Sequence, residues 1–369
     1  MFYLGIDLGS SSVKLALIDK STGQQLRVVK EPEEEMPMIS IEKGWAEQNP
    51  EDWWQNVCNG LTTLREQHPK EFYQLDGIGI SYQMHGLVLI DAQGKVLRNA
   101  IIWCDSRAVP LGEQAYQEMG ENWCDTHLMN SPANFTAAKL AWVKKNEPEL
   151  FSRIYKFMLP GDYIAYKLSG KPTTTISGLS EGVFWDFSQN EISQEVLNHF
   201  GFDKTIVPEV HPSFALHGKV SAGAASVTHI KEGTPLLYRA GDQPNNALSL
   251  NVFNPGEIAA TGGTSGVIYA VTDNLQSKET SRVNNFAHIN HSSENPRIGK
   301  LLCINGSGIL YRWLRNNLDV ESYDHMNALV KDIPVGSEDL SIIPFGNGAE
   351  RILNNENIGA SIKGLNGVK

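Results

Sequence analysis

The chain has 369 residues, more than one hydrophobic core usually serves, so two domains are expected. A hydrophobic fraction of 41%, with eight tryptophans and thirteen phenylalanines, excludes global disorder. The net charge of −11 comes without a basic face, which argues against a nucleic-acid partner; any phosphate site must then be built locally, from backbone N–H groups and a metal.

An acidic residue, Asp7, interrupts the first apolar run, so no signal peptide is expected. Later apolar runs are too short to cross a bilayer, and the expectation is a cytoplasmic protein with no membrane partner. Cys58, Cys104, Cys124 and Cys303 stand far apart, which fits neither a zinc site nor a disulfide framework. Tyr3 to Asp7, Val13 to Asp19 and Gln25 to Val29 read as three short strands joined by turns at Gly9–Ser12 and Lys20–Gly23, an antiparallel meander. Asn49-Pro50-Glu51-Asp52 is a helix start, with a capping Asn, a proline in the first turn and acids behind it. Trp53, Trp54, Val57, Leu61 and Leu64 give that helix an apolar face. Leu75 to Ser81, Gly86 to Ile90 and Ala100 to Trp103 read as strands. Ala137 to Lys145 reads as a helix with Leu140 and Val143 inward. Leu236 to Ala240 is a strand ending at Gly241-Asp242. Ile258 to Thr261 and Val267 to Val271 flank a glycine-rich turn, and a domain boundary is placed near Asn246. The pattern alone gives an α/β class.

Several stretches carry candidate chemistry. Asp7-Leu8-Gly9-Ser10-Ser11-Ser12 puts a carboxylate at a strand end before a turn of small residues. Such a turn can cradle phosphate oxygens and the carboxylate can hold a hydrated Mg²⁺, although alone a plain hairpin is the simpler reading. Gly262-Gly263-Thr264-Ser265-Gly266 repeats the device, and two such turns favour a phosphate clamp. Asp242, just past a strand end, fits a general base and a helix-capping residue equally well. Gln83-Met84-His85-Gly86 suits a polyhydroxyl ligand. Trp103-Cys104-Asp105-Ser106-Arg107 offers an aromatic face and a charged pair, though a tryptophan at a strand end is more often packing.

Taken together and in order, Asp7-x-Gly9-Ser10-Ser11, Gln83-Met84-His85-Gly86, Trp103-x-Asp105-x-Arg107, Phe135 to Trp142, Leu159 to Tyr163, Gly241-Asp242 and Gly263 to Gly266 resemble the FGGY family of carbohydrate kinases. The resemblance runs along the whole chain. It implies the ribonuclease-H-like actin/sugar-kinase ATPase fold, in two domains, residues 1–246 for sugar and catalysis and 247–369 for the start of a nucleotide domain. It also implies ATP and Mg²⁺ as cofactors. Asp242 is then the catalytic base and Asp7 the carboxylate for metal and phosphate. Met84, His85, Trp103, Asp105 and Gln243 meet the sugar, and Gly9, Ser10, Ser11, Gly263, Thr264 and Ser265 meet the nucleotide phosphates. The Gln-Met-His-Gly form is similar to family members acting on xylulose, which implies D-xylulose 5-phosphate as product. Gln243 after Asp242 is similar to the glycerol-acting members instead, and Asn134 departs mildly from the family's first signature. Residues Ala360 to Leu365 resemble the approach to its second signature, so an incomplete second domain, and with it an inactive fragment, is an expectation of the resemblance. A kinase for another sugar or polyol, and a non-catalytic sugar-binding protein on this fold, stay open beside the leading reading. A homodimer is the higher assembly considered.

Overall fold

The computed structural model describes residues 1–263, 265–277, 279–280, 282–345, 351–353 and 358–365. Its first sheet is built on the expected meander. Strands β1 (Phe2–Leu8), β2 (Val13–Asp19) and β3 (Gln25–Glu31) pair antiparallel in sequence order. Alternation places Leu4, Ile6 and Leu8 of β1, and Val13, Leu15 and Leu17 of β2, on one buried face. Helix α1 (Pro50–Gln67) covers that face with Trp53, Val57, Leu61 and Leu64, all fully buried. The side chain of Asn49 accepts from the Glu51 amide at 3.1 Å, which starts the helix where the capping residues predict. A Cβ on Gly60 would collide with Leu15, so glycine here sets how closely α1 lies on the sheet.

The chain then returns through the middle of the sheet. Strand β4 (Leu75–Tyr82) lies parallel beside β1. The helices that follow include α2 (Thr136–Asn146), α3 (Pro160–Ser169) and α4 (Ile176–Glu181). Strand β5 (Phe214–Lys219) leads into β6 (Pro235–Gly241), which lies parallel on the other side of β4. The sheet order is therefore β5-β6-β4-β1-β2-β3. Helix α5 (Asp242–Ser249) starts directly at the end of β6.

A second, four-stranded sheet follows: β7 (Ile258–Gly262), β8 (Gly266–Thr272), β9 (Asn284–Ala287) and β10 (Ile298–Ile304), in the order β7-β8-β10-β9. Its strand β9 is tied to the first part of the molecule. Asn130 accepts from the Asn285 amide at 2.9 Å and donates to the Asn285 carbonyl. Ala287 N–H donates to Ser180 Oγ at 2.9 Å. Among the described residues no helix is long and apolar enough to cross a membrane.

Two expected strands are shorter than read. The second segment is a strand only from Val88, with Leu87 before it in a single bridge to Ile101, and the third stops at Ile101 rather than Trp103. Trp103 sits instead in a turn, because Asp105 accepts from the Ala46 amide and draws the chain away from the ladder.

Replacing Trp53 by alanine empties a fully buried site between α1 and the meander, and the expected loss is about 3–5 kcal/mol of unfolding free energy by urea titration. A loss under about 1 kcal/mol would contradict the packing described.

Candidate active site

Three parallel strands end at one edge. In their registers Asp7 faces Ser81 across β1 and β4, and Ala240 and Gly241 face Ser81 and Tyr82 across β6 and β4. The residues that follow β4 and β6 therefore emerge side by side: Gln83-Met84-His85 and Asp242-Gln243. All five line one cavity of ≈ 360 Å³, together with Trp103, Asn134, Phe135 and, from the second sheet, Ser265, Val267 and Cys303. Clefts at the carboxyl ends of parallel strands are the usual binding position in open α/β sheets.

Asp242 opens α5 and lines the cavity. Burial, and then the charge of Asp7, push its pKa from the ordinary 3.8 up to about 7, against hydrogen bonds from Gln243 that favour the ionised form. A carboxylate so poised can accept a proton near neutral pH. Gly241 is needed for the close packing behind it: a Cβ there would meet Met84 Cγ at 2.5 Å and Glu181 Oε2 at 2.8 Å. Glu181 is buried, and burial together with Asp242 and Asp162 raises its pKa well above the usual carboxyl range. It stands as a neutral acid behind the ionisable one.

His85 Nδ1 lies 3.1 Å from the Glu181 carbonyl, which can only accept, so Nδ1 carries the proton. Burial, and then Lys139, push the imidazole down to about 3, so it is neutral and its Nε2 is an acceptor. The ring rests edge-on against Phe135 and tilted over Phe286 of β9. Trp103 is 50% exposed and gives the cavity an aromatic face. Arg351 adds a cation at the rim and donates to the Thr280 carbonyl at 3.2 Å.

Asp105 is placed differently from expectation. It is fully buried, its oxygens accept from the Ala46 amide at 2.6 Å and from Arg107 at 2.6–3.0 Å, and it is not a cavity residue. Arg107 also pairs with Glu47 at 2.7 Å and lies 3.7 Å from the ring of Trp45. Asp105 thus holds the turn that carries Trp103. Asp7 lies beside the cavity residues, half-exposed, 3.8 Å from Lys14 Nζ. The turn after it is braced from outside: Gly9 N–H donates to Ser12 O, Met36 N–H to Ser11 O, and Gln48 Nε2 to Ser10 O at 2.7 Å. Gly263 N–H donates to Ser265 O at 3.0 Å in the second turn; Thr264 lies outside the described residues. No local motif marks Asn284, Cys303 and Arg351, which line the cavity, or Gln48 and Glu181, which brace the Ser10 turn and lie behind Gly241.

Comparison with known proteins adds to this geometry. The family model described as FGGY family of carbohydrate kinases, N-terminal domain, matches residues 2–249. The xylulose kinase of Bacillus subtilis (strain 168) is 30% identical over 367 residues, 99% of this chain and 72% of its own length. That of Escherichia coli (strain K12) is 30% identical over 286 residues, 78% of this chain and 57% of its own. A crystal structure of a kinase from Brucella ovis, described as a "xyloylose kinase", covers 100% of this chain and 74% of its own with a TM-score of 0.88 at 28% identity. The α/β arrangement is accordingly that of the actin-like sugar-kinase ATPases.

Because the folded pKa of Asp242 is raised, its contribution to stability is present below about pH 4 and is lost as pH rises through about 7. Asp242→Asn should therefore gain melting temperature relative to wild type between about pH 5 and about pH 8. A constant difference by scanning calorimetry in metal-free buffer would show that Asp242 titrates as an ordinary carboxyl.

Proposed function

The chain belongs to the FGGY family of carbohydrate kinases, and we propose that it transfers the γ-phosphoryl group of ATP to D-xylulose, giving D-xylulose 5-phosphate and ADP. The observation that carries this reading is the convergence of Met84, His85, Trp103 and Asp242 on a single cavity. A ketose would lay its apolar face on Trp103 and Met84 and offer hydroxyls to His85 Nε2 and Gln243. Asp242 would accept the proton of the attacking C5 hydroxyl as the O–P bond forms and the bond to ADP breaks. The pairing of Met84 with His85, and the similarity to the xylulose kinases, favour a ketose over glycerol.

In this reading the chain divides near Asn246, with the sugar and the base before it. Gly9, Ser10 and Ser11 on one side, and Gly263, Thr264 and Ser265 on the other, would hold the phosphates through backbone N–H groups and hydroxyls. Asp7 is the carboxylate suited to Mg²⁺. Its side chain is half-exposed beside the cavity residues, which fits a carboxylate that would hold a hydrated ion. Bound there, Mg²⁺ would neutralise charge on the transferring phosphoryl group.

Asp242→Asn is expected to lower turnover by about two to four orders of magnitude while changing D-xylulose affinity only a few-fold, because the amide keeps the shape and loses the base. Coupled ADP release and calorimetric titration read the two quantities separately. Near-normal turnover in the variant would remove Asp242 from this role, and ADP release with another sugar or polyol but not xylulose would reassign the substrate.

A further inference from the structure

Lys139 lies wholly buried on α2 and is not among the residues that line the cavity. Its Nζ donates to the His85 carbonyl at 2.8 Å and to the Ile102 carbonyl at 3.1 Å. His85 is a wall of the cavity, and Ile102 immediately precedes Trp103, another wall. The helix that carries Lys139 is entered through a third, Ala133 to Phe135. One side chain thus ties together three segments that are remote in sequence.

The arrangement is costly. An ammonium taken out of water loses several kcal/mol of solvation, by order of magnitude, unless it is paired or fully bonded. The Asp105 carboxylate favours its charged form and Arg107 opposes it, yet burial dominates and pushes its pKa down to about 7. Asp105 is already engaged by Arg107 and Ala46. Neutral or charged, the amine keeps at least two N–H groups, enough for both carbonyls. His85 adds a second cost, since its φ of 60° is left-handed and disfavoured for a side chain with a Cβ. The bond from Lys139 to the His85 carbonyl is one of the contacts that hold it there. A methionine would fill the same space without the desolvation, so packing alone does not account for lysine.

We propose that Lys139 is a positioning residue of the sugar site: by bridging the carbonyls of His85 and Ile102 it holds the His85 and Trp103 walls in one relative arrangement, and so sets sugar affinity without touching the sugar. The effect on affinity rests on the carbohydrate-kinase reading; the effect on the two loops does not.

The test uses Lys139→Met, which keeps length and loses the donors, and Lys139→Gln as a milder partner. Hydrogen exchange of the sugar-free protein, followed by mass spectrometry, should rise about tenfold or more in peptides covering 83–87 and 101–106 and stay unchanged in β1. D-Xylulose affinity should fall about 10- to 100-fold, as for a lost hydrogen bond to a charged group, with the KM for ATP within about twofold. Unchanged exchange in both loops, exchange raised equally across the central sheet, loosened loops with unaltered xylulose affinity, or failure of both variants to fold would each overturn the proposal and leave Lys139 as a structural residue. Wild-type protein that binds no xylulose would instead defeat the substrate reading, while the exchange data would still decide the role of Lys139.

Discussion

The parallel pairing of β1, β4 and β6 is the constraint on which the site depends. Parallel registers bring the ends of the three strands to one edge, so that Asp7, Gln83 to His85 and Asp242 meet although up to 235 positions separate them in sequence. The core beneath, Leu4, Ile6 and Leu8 with Ile78 and Ile80, is what holds those registers, because a slip of one residue would turn every apolar side chain outward. The chemistry follows from the geometry. Burial at that edge, and then the charge of Asp7, make Asp242 a weaker acid than an ordinary carboxyl.

The site is expensive to hold. Glu181, Lys139 and Asp105 are buried, and the side chain of Arg107 is buried with them. Each is accommodated differently. Glu181 stays protonated, Lys139 bonds to carbonyls, and Asp105 and Arg107 pair under the rings of Trp45 and Trp142. Ion pairs of this kind add little net stability compared with apolar packing, and their value lies in fixing one arrangement. Here that arrangement is the orientation of the His85 and Trp103 walls. The second sheet shares in it, since Phe286 of β9 packs against His85 while β10 and β8 connect β9 to the turn at Gly263. A displacement of β9 would therefore disturb the sugar wall and the phosphate turn together.

Local signals made the first third of the fold legible. Alternating apolar residues and small-residue turns marked β1, β2 and β3, and the Asn49-Pro50 cap marked α1 to the residue. Val13–Asp19 coincides with β2 at both ends. The strand assigned to Ala100–Trp103 ran too far because a tryptophan after an apolar run reads as strand, while the Asp105 contact that ends it comes from Ala46, 59 positions away. The same distance effect hid the true partner of Asp105: a charged residue beside a tryptophan looks like a sugar contact until Arg107 and Trp45 are seen to enclose it. Met84, His85, Trp103, Asp242 and Gln243 stand in motifs that follow apolar runs in recognisable order, and all five line the cavity. Nothing local marks Asn284 and Arg351, which also line it, or Glu181 behind Gly241, since only the packing of distant segments brings them there. Lys139 stood in a motif, and nothing in that motif tells whether its amine reaches a ligand or two carbonyls.

The account stands most directly on where a sugar lies relative to Asp242. A crystal structure of the protein with D-xylulose would measure it. The account predicts the ketose against Trp103 and Met84, with its C5 hydroxyl about 2.6–3.2 Å from the Asp242 carboxylate and an acceptor contact to His85 Nε2. A sugar bound in that cavity with its terminal hydroxyl turned away from Asp242, or bound elsewhere on the protein, would contradict it.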